Sequence, residues 1–402
     1  MKRLVLIAVV FLLTGCGSDG DRVQVVVSAP VSTEPWIAGS IERGARLAVD
    51  EINDNGGVLI GDGSKQLELV VLDNASSPAT AQANAREAVS RNAAVLLTDG
   101  TGAASVAAVT NPAKLPVFVL FEGGADLIDP QRYPTLFRLA PADAIMTRRL
   151  ADYIANGKPK VAMLTDDSGY GEQGRKALRE SFTIDEVEVV HDQVIPRRAR
   201  DLAPQILAAR QAGADKLVVW ASAADIAAAV EAVHRASWDV EILSGQTGED
   251  PLVRQRLVAN PEWLASLKFV SSRMTAEVGP EPFNAFRKRY EDALGADKVG
   301  VQQDGRDVIQ PPDWAMYPYD ALKLIENALS SSRALGAPLL NQLNGGAQII
   351  GANGDSRAYN PDYHEGVSPA DMYFARFEGF VFVPVEDDPL SGTLPRVNQL
   401  AG

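Results

Sequence analysis

The feature that most constrains this chain is an alternation of short, β-branched apolar runs with longer Ala-rich amphipathic stretches, carried through twice. Residues 23–27 read as a strand, and residues 41–53 as a helix with Ile41, Ala45, Ala48, Val49 and Ile52 on one face. Asn55, Gly56 and Gly57 stop that helix. Residues 67–72 give the next strand, Ser77 followed by Pro78 opens the next helix, and 94–98 and 117–120 are further strands. The rhythm then restarts. Residues 160–165, 187–192, 216–221 and 240–244 read as strands, separated by helical stretches near 171–182, 202–212 and 223–236. Alternating β and α elements of these lengths imply parallel sheets with right-handed crossovers and helices on both faces. Two series in succession predict two doubly wound α/β lobes. The tail after Asn341 is rich in Gly, Asn and Asp, and within it 372–377 reads as a strand in a hairpin with 381–385.

The N-terminus bears on where the chain works. Lys2 and Arg3 precede a short apolar segment, 4–13, and small residues lead into Cys16, the single cysteine of the sequence. This is the order of a secretory signal. The segment is shorter than the ~20 apolar residues that span a bilayer. Leu13-Thr14-Gly15-Cys16 resembles the lipobox of bacterial lipoproteins, whose cysteine thiol takes a diacylglycerol and becomes the new N-terminus. The resemblance implies a leader at 1–15, a lipid-anchored tether at 16–22, and an extracytoplasmic protein whose lipid is its only membrane contact. A cleaved, soluble protein with a leftover cysteine is the alternative. Without the leader about 390 residues remain, more than one core usually holds, which agrees with two lobes. The net charge of -14 becomes more negative when Lys2 and Arg3 leave, which argues against nucleic acid or anionic lipid as a partner. A lone cysteine leaves no internal disulfide, so the exported chain must rely on its core. No later apolar run approaches membrane length.

In an open parallel sheet the binding crevice lies beyond the carboxyl ends of the strands, so the loops after each apolar run are the ones to read. Asp99-Gly100-Thr101-Gly102 precedes a helix-like stretch and offers a negatively charged ligand group backbone N–H donors, a helix N-terminus and the Thr101 hydroxyl. Asp166-Asp167-Ser168-Gly169-Tyr170-Gly171 repeats the arrangement, with Tyr170 at a helix start. Glycines that merely permit tight turns account for both loops equally well. Gly100 to Ser105 also approximates the dinucleotide fingerprint, with Glu122 downstream as a ribose contact, but its third glycine is missing and it is not in the first βα unit. His191, His234 and His364 have no zinc-ligand spacing and no neighbouring nucleophile motif, and read as surface residues. Asp166 and Asp167 could perform acid–base chemistry, although capping of the following helix by one of them is the simpler role. No catalytic residue, metal or cofactor is expected.

The order of several segments is more specific than any one of them. Ala45-Arg46-Leu47-Ala48-Val49-Asp50-Glu51-Ile52-Asn53 with Gly56-Gly57-Val58 comes first, then Leu69-Val70-Val71-Leu72-Asp73-Asn74 with Pro78 and Ala79. Phe137-Arg138-Leu139-Ala140-Pro141-Ala142-Asp143 follows, then the Asp166 loop, then Tyr317-Pro318-Tyr319-Asp320-Ala321. This set resembles the type I periplasmic substrate-binding proteins, in the branched-chain amino acid (Leu/Ile/Val) branch of ABC importers, over 23–329 and more loosely to about 385. The resemblance implies two lobes joined by a three-crossing hinge near Ala140, Val270 and Tyr373, closing on ligand like a flytrap. It divides the chain into 23–140 plus 271–372 and 141–270 plus 373–402.

Carried onto this sequence, the family's carboxylate-binding loop matches Thr101-Gly102, about a residue shorter than usual. The next exit loop matches Phe121-Glu122-Gly123, where small Ser, Ala and Thr are the rule. Tyr170 matches a pocket tyrosine, Trp36 an aromatic of the first loop, and Trp314 lies near an aromatic on the helix holding Asp320. A second-lobe tyrosine falls on or near Ser222. The carboxylate that pairs with the ligand's α-amino group falls on Gln246, and a neutral amide cannot replace a buried ion pair at full strength. If Glu122 turns inward, it can receive an ammonium. If it faces solvent, a carboxylic acid, amide or aromatic compound fits as well as an amino acid. The resemblance thus implies a monomeric, non-enzymatic protein that captures a small amino acid or related carboxylate or amide for an ABC permease. The same fold also serves as a sensing module that signals to a membrane partner.

Overall fold

The structure is a computed structural model that describes residues 22–272, 280–354, 356–367, 372–389, 391 and 399–401; the expected leader and Cys16 lie outside the described residues. The chain opens with β1 (Arg22–Ala29), α1 (Pro35–Asp54), β2 (Val58–Ile60), β3 (Gly63–Asp73), α2 (Pro78–Ser90), β4 (Val95–Thr98), α3 (Ala103–Ala113), β5 (Val117–Val119) and β6 (Leu136–Arg138). Their sheet runs β2-β3-β1-β4-β5-β6 and is parallel except for the β2–β3 hairpin. The second series is α4 (Asp143–Ala155), β7 (Lys160–Asp166), α5 (Gly169–Ile184), β8 (Glu188–Ile195), α6 (Ala203–Gln211), β9 (Lys216–Trp220), α7 (Ala223–Arg235), β10 (Glu241–Ser244), α8 (Pro251–Arg256) and β11 (Leu267–Ser272). These strands pair in parallel in the order β8-β7-β9-β10-β11.

The return stretch holds α9 (Pro280–Leu294), the hairpin β12 (Asp297–Gln303) and β13 (Arg306–Gln310), α10 (Asp313–Ser332), α11 (Ala337–Leu343) and the small hairpin β14 (Gln348–Ile350) and β15 (Ser356–Ala358). β16 (Met372–Glu378) and β17 (Val381–Pro384) then extend the second sheet beside β11, antiparallel. Because α9 and α10 pack on α1, the chain passes between the two sheets three times: after β6, after β11 and before β16. Of the antiparallel edges, β16–β17 is the hairpin expected at 372–385, and β2–β3 is an addition to the expected parallel sheets. Edge strands joined by hairpins need no crossover helix.

Strands buried on both faces explain the continuous apolar runs. Val25 and Val27 of β1 face one apolar layer with α1 and α10, while Val26 faces another beneath α2 and α3. In β7, Val161 and Met163 join the first of these layers, whereas Ala162 and Leu164 face a third beneath α6 and α7. One apolar layer therefore runs from lobe to lobe. The β12–β13 hairpin inserts Val299, Val301 and Val308 into the third layer, so part of the return stretch packs on the second lobe. His364 corrects its surface assignment. It is buried, its Nδ1 donates to the Leu136 carbonyl at 2.8 Å, its ring stacks on Phe137, and burial lowers its pKa. It pins the return stretch to β6.

Candidate functional site

The carboxyl ends of both sheets face each other across a cavity of about 540 Å3. The first sheet contributes Glu34 after β1, Ser76 after β3, Thr101 and Gly102 after β4, and Phe121 and Glu122 after β5. The second contributes residues 166–170 after β7, Ser222 after β9, and Thr247 and Asp250 after β10. A wider groove of about 1260 Å3 shares Glu34, Ser222, Ala223 and Asp250 with it and forms its outer mouth, lined by Trp36 among others. The smaller cavity is the candidate site, because the strand-exit loops of both sheets converge there.

The loop after β4 is organised around its own acid. Asp99 is buried; its Oδ2 accepts from the Thr101 hydroxyl at 2.6 Å and its Oδ1 from Asn74 Nδ2 at 2.7 Å. Gly100 sits at φ 120°, and a Cβ there would lie 2.5 Å from the Glu122 Cβ, so glycine is required both by conformation and by room. A hydroxyl carries one proton, and that of Thr101 is directed at Asp99. The anion this loop holds is therefore the Asp99 carboxylate, whose pKa burial raises against those hydrogen bonds.

Glu122 reaches the cavity from the next strand exit. Its N–H donates to the Asp99 carbonyl at 2.7 Å, but its carboxylate has no hydrogen-bond or ion-pair partner among the described residues. Burial, with Asp99 and Asp143 nearby, pushes its pKa up to about 8, against the pull of Arg138. Arg138 is committed elsewhere: its guanidinium holds Glu365 through two bonds of 2.7 and 2.5 Å and donates to the carbonyls of Glu122 and Gly124. Asp143, at the start of α4, is fully buried and pushed up to about 7, and its Oδ1 abuts Gly123 without a donor.

On the opposite wall, Asp166 accepts from the Ser222 N–H at 2.9 Å and from both donors of Ser168. Ser168, not either acid, caps α5, accepting from Gly171 N at 3.0 Å. This corrects the capping expectation: the acid organises the cap residue instead of serving as the cap. Tyr170 stacks on Trp220 at 5.5 Å, and its hydroxyl lies 3.4 Å from Thr247 Oγ1. Ser222 caps α7. Asp250 caps α8 through Leu252 N, and its burial pushes it up to about 6. Among the described residues no group of three or more His, Cys, Asp or Glu is arranged to hold a metal, and no helix is long and apolar enough to cross a membrane.

A sequence model of the periplasmic binding protein family matches residues 23–380. The chain belongs to that family. Among solved structures, a type 1 periplasmic binding protein from Bordetella pertussis Tohama I aligns with TM-score 0.80 at 16% identity, over 91% of this chain and 100% of that one. The branched-chain amino acid substrate-binding protein LivJ of Streptococcus pneumoniae, solved with isoleucine, gives 0.74 at 20% identity, over 90% and 97% of the two chains. A solute-binding protein of an ABC transporter from Rhodopseudomonas palustris BisB5, solved with 3,4-dihydroxybenzoic acid, gives 0.69 at 21%, over 92% and 99%. No curated protein matches. At these identities the likeness shows the fold, and family membership implies an extracytoplasmic place.

In this periplasmic binding protein, Thr101, Gly102, Phe121, Glu122, Tyr170 and Ser222 meet in the cavity. Four other sequence candidates stand around it. Trp36 lines the outer groove, and Gly123 packs against Asp143. Trp314 is buried, donates from Nε1 to Glu249 Oε1 at 3.1 Å, and backs Phe121 at 4.8 Å between ring centres. Gln246 is buried and donates from Nε2 to the Phe121 carbonyl at 3.4 Å across the lobes, leaving Oε1 without a partner. Sequence reasoning did not single out Glu34, Asn74, Thr247 and Asp250, and it named Asp99 only as the start of the Thr101 loop. The strand-exit rule that singled out the Asp99 loop applies equally to Asn74, which directly follows β3.

Proposed function

We propose that this periplasmic binding protein is the solute-binding component of an ABC importer. It is tethered through a lipid on Cys16 and captures a small amino acid or a related carboxylate or amide by lobe closure. The lobes of this reading are 23–140 plus 271–372 and 141–270 plus 373–402, and the captured solute passes to a permease. The observation that carries it is the cavity of about 540 Å3 lined by strand-exit loops of both sheets, a volume in the range of small-molecule sites. A ligand touching both walls stabilises the closed arrangement, and modest affinity differences suffice to shift such an equilibrium. Solved relatives bound to isoleucine and to 3,4-dihydroxybenzoic acid support a solute of that size.

The test is thermal unfolding of the full chain, stripped of ligand by one cycle of denaturation and refolding, against a library of amino acids, amides, amines, aromatic acids and short peptides. A solute at ~100 times its Kd stabilises the native state by about 2.7 kcal/mol, which raises Tm by several degrees. A folded protein that no solute stabilises sinks the importer reading and favours a partner-binding or sensory role.

A further inference from the structure

We infer that the ligand of this cleft presents a cationic nitrogen, an ammonium or amidinium, to Glu122 on the first-lobe wall, and that the Thr101 loop binds no ligand carboxylate. The inference rests on the solute-binding reading above and narrows it to one chemical class.

Three independent features converge on it. The Thr101 hydroxyl and the Asn74 amide, the side-chain donors at this loop, are spent on Asp99, so a second anion brought there is left with backbone N–H groups beside a buried acid. The charge of the cavity wall points the same way. Glu34, Asp99, Glu122, Asp166, Asp167 and Asp250 line it, whereas Arg197, the one cationic side chain lining it among the described residues, lies 3.6 Å from Asp167.

The third feature is a deficit of donors around one segment. Behind the cavity wall, Gln246 Oε1 and Asp143 Oδ1 are buried on either side of Phe121-Glu122-Gly123 without a hydrogen-bond partner, so the surroundings of this segment spare no donor for Glu122. Between them the Glu122 carboxylate faces the cavity unpaired, since Arg138 is engaged by Glu365. A carboxylate left unmet at a cavity wall is matched by a ligand rich in donors. An alkyl ammonium or an amidinium supplies two or three of them with a positive charge, and Ile37, Leu127, Phe121 and Tyr170 offer its body an apolar bed.

Matched pairs of probes with the same carbon skeleton test this on the full chain: 3-methylbutylamine against 3-methylbutanoate, benzylamine against benzoate, and L-leucinamide beside L-leucine. Kd is read from thermal shifts and calorimetry at pH 8.5. The expected result is that at least one amine or amide-amine binds roughly tenfold or more tightly than its matched acid, the worth of one half-buried charge contact. Glu122→Gln, verified as folded by circular dichroism, is expected to abolish that preference. If that variant fails to fold, the matched pairs on the unaltered chain decide. Binding of acids but not amines overturns the inference and leaves the solute-binding reading standing. Amine binding that Glu122→Gln does not weaken overturns the assignment to Glu122. Failure of every probe here and of the broader library overturns both.

Discussion

At the scale of single residues, the site is defined by where protons are held. Glu122 is a carboxylate without a partner in a partly enclosed cleft, and such a group destabilises the fold that contains it. The sign follows from linkage. Its folded-state pKa is raised to about 8, faced by Asp99 and Asp143 with Arg138 as the opposing cation, so the unfolded chain ionises first. Stability from this group falls as pH rises above the ordinary carboxyl range near 4.5 and stops falling above about 8. Glu122→Gln removes that loss. Chemical denaturation is expected to show the variant equal to the parent at pH 4 and more stable by about 2 to 4 kcal/mol at pH 9. A variant less stable at pH 9 than its parent contradicts the unpaired state of Glu122. Sequence named Thr101 and Glu122 as candidates and the structure brings both to the cavity wall, because a strand exit is a local feature. It could not show which way the Thr101 proton points, because that depends on Asn74, Asp99 and Thr101 meeting across two strand ends.

At the scale of elements, alternation made most strands and helices legible, because a βα repeat with both faces buried writes itself as unbroken apolar runs. Ser77 and Pro78 cap and open α2 as the sequence indicates, with Ser77 accepting from Thr80 N. β11 was hidden. Its Lys268 interrupts the apolar run, and only the fold brings Glu241 and the Tyr153 hydroxyl to satisfy that ammonium. The β12–β13 hairpin carried an unread signal, Asp304-Gly305, whose positive φ angles of 53° and 74° are those of a tight two-residue turn. Helix contact also sets a limit on side-chain size. A Cβ on Gly44 of α1 would lie 2.0 Å from the Ala315 carbonyl oxygen and 2.7 Å from Pro318 Cγ, so α10 approaches α1 at a glycine. Gly44→Ala is expected to destabilise by about 2 to 3 kcal/mol through displacement of α10. Gly345→Ala, where a Cβ meets nothing within 4 Å, is the control and should change stability by less than about 0.5 kcal/mol. Urea midpoints at constant m-value provide the comparison.

At the scale of the whole molecule, the same carboxylates are expected to couple pH to the separation of the lobes. Glu34 of the first lobe faces Asp166 and Asp250 of the second, with Arg197 and Arg198 as the opposing cations, and burial raises the pKa of both Glu34 and Asp250, the latter to about 6. Glu122 follows at about 8. As pH climbs through this interval, negative charge accumulates on both walls, and parting the lobes rehydrates it. Around the cleft that motion is opposed by the long Gln246–Phe121 contact of 3.4 Å, the Trp314–Glu249 bond and the exposed Lys176–Asp126 pair, which contributes little, while the β12–β13 hairpin bonds both to the second sheet's side, through Gln255 and Phe380, and to α1, through Arg43 and Asp297. A compact chain of this length has a radius of gyration of about 21 Å, and hinge opening adds on the order of 1 Å. Small-angle scattering of the ligand-free protein is therefore expected to give a larger radius at pH 8.5 than at pH 5.5. A bound amine places a positive charge among the ionised acids, so saturation at pH 8.5 should restore the low-pH radius, whereas a matched acid should not. A radius indifferent to both pH and amine would mean that the lobes are held by their shared apolar layer and that cleft charge does not govern closure.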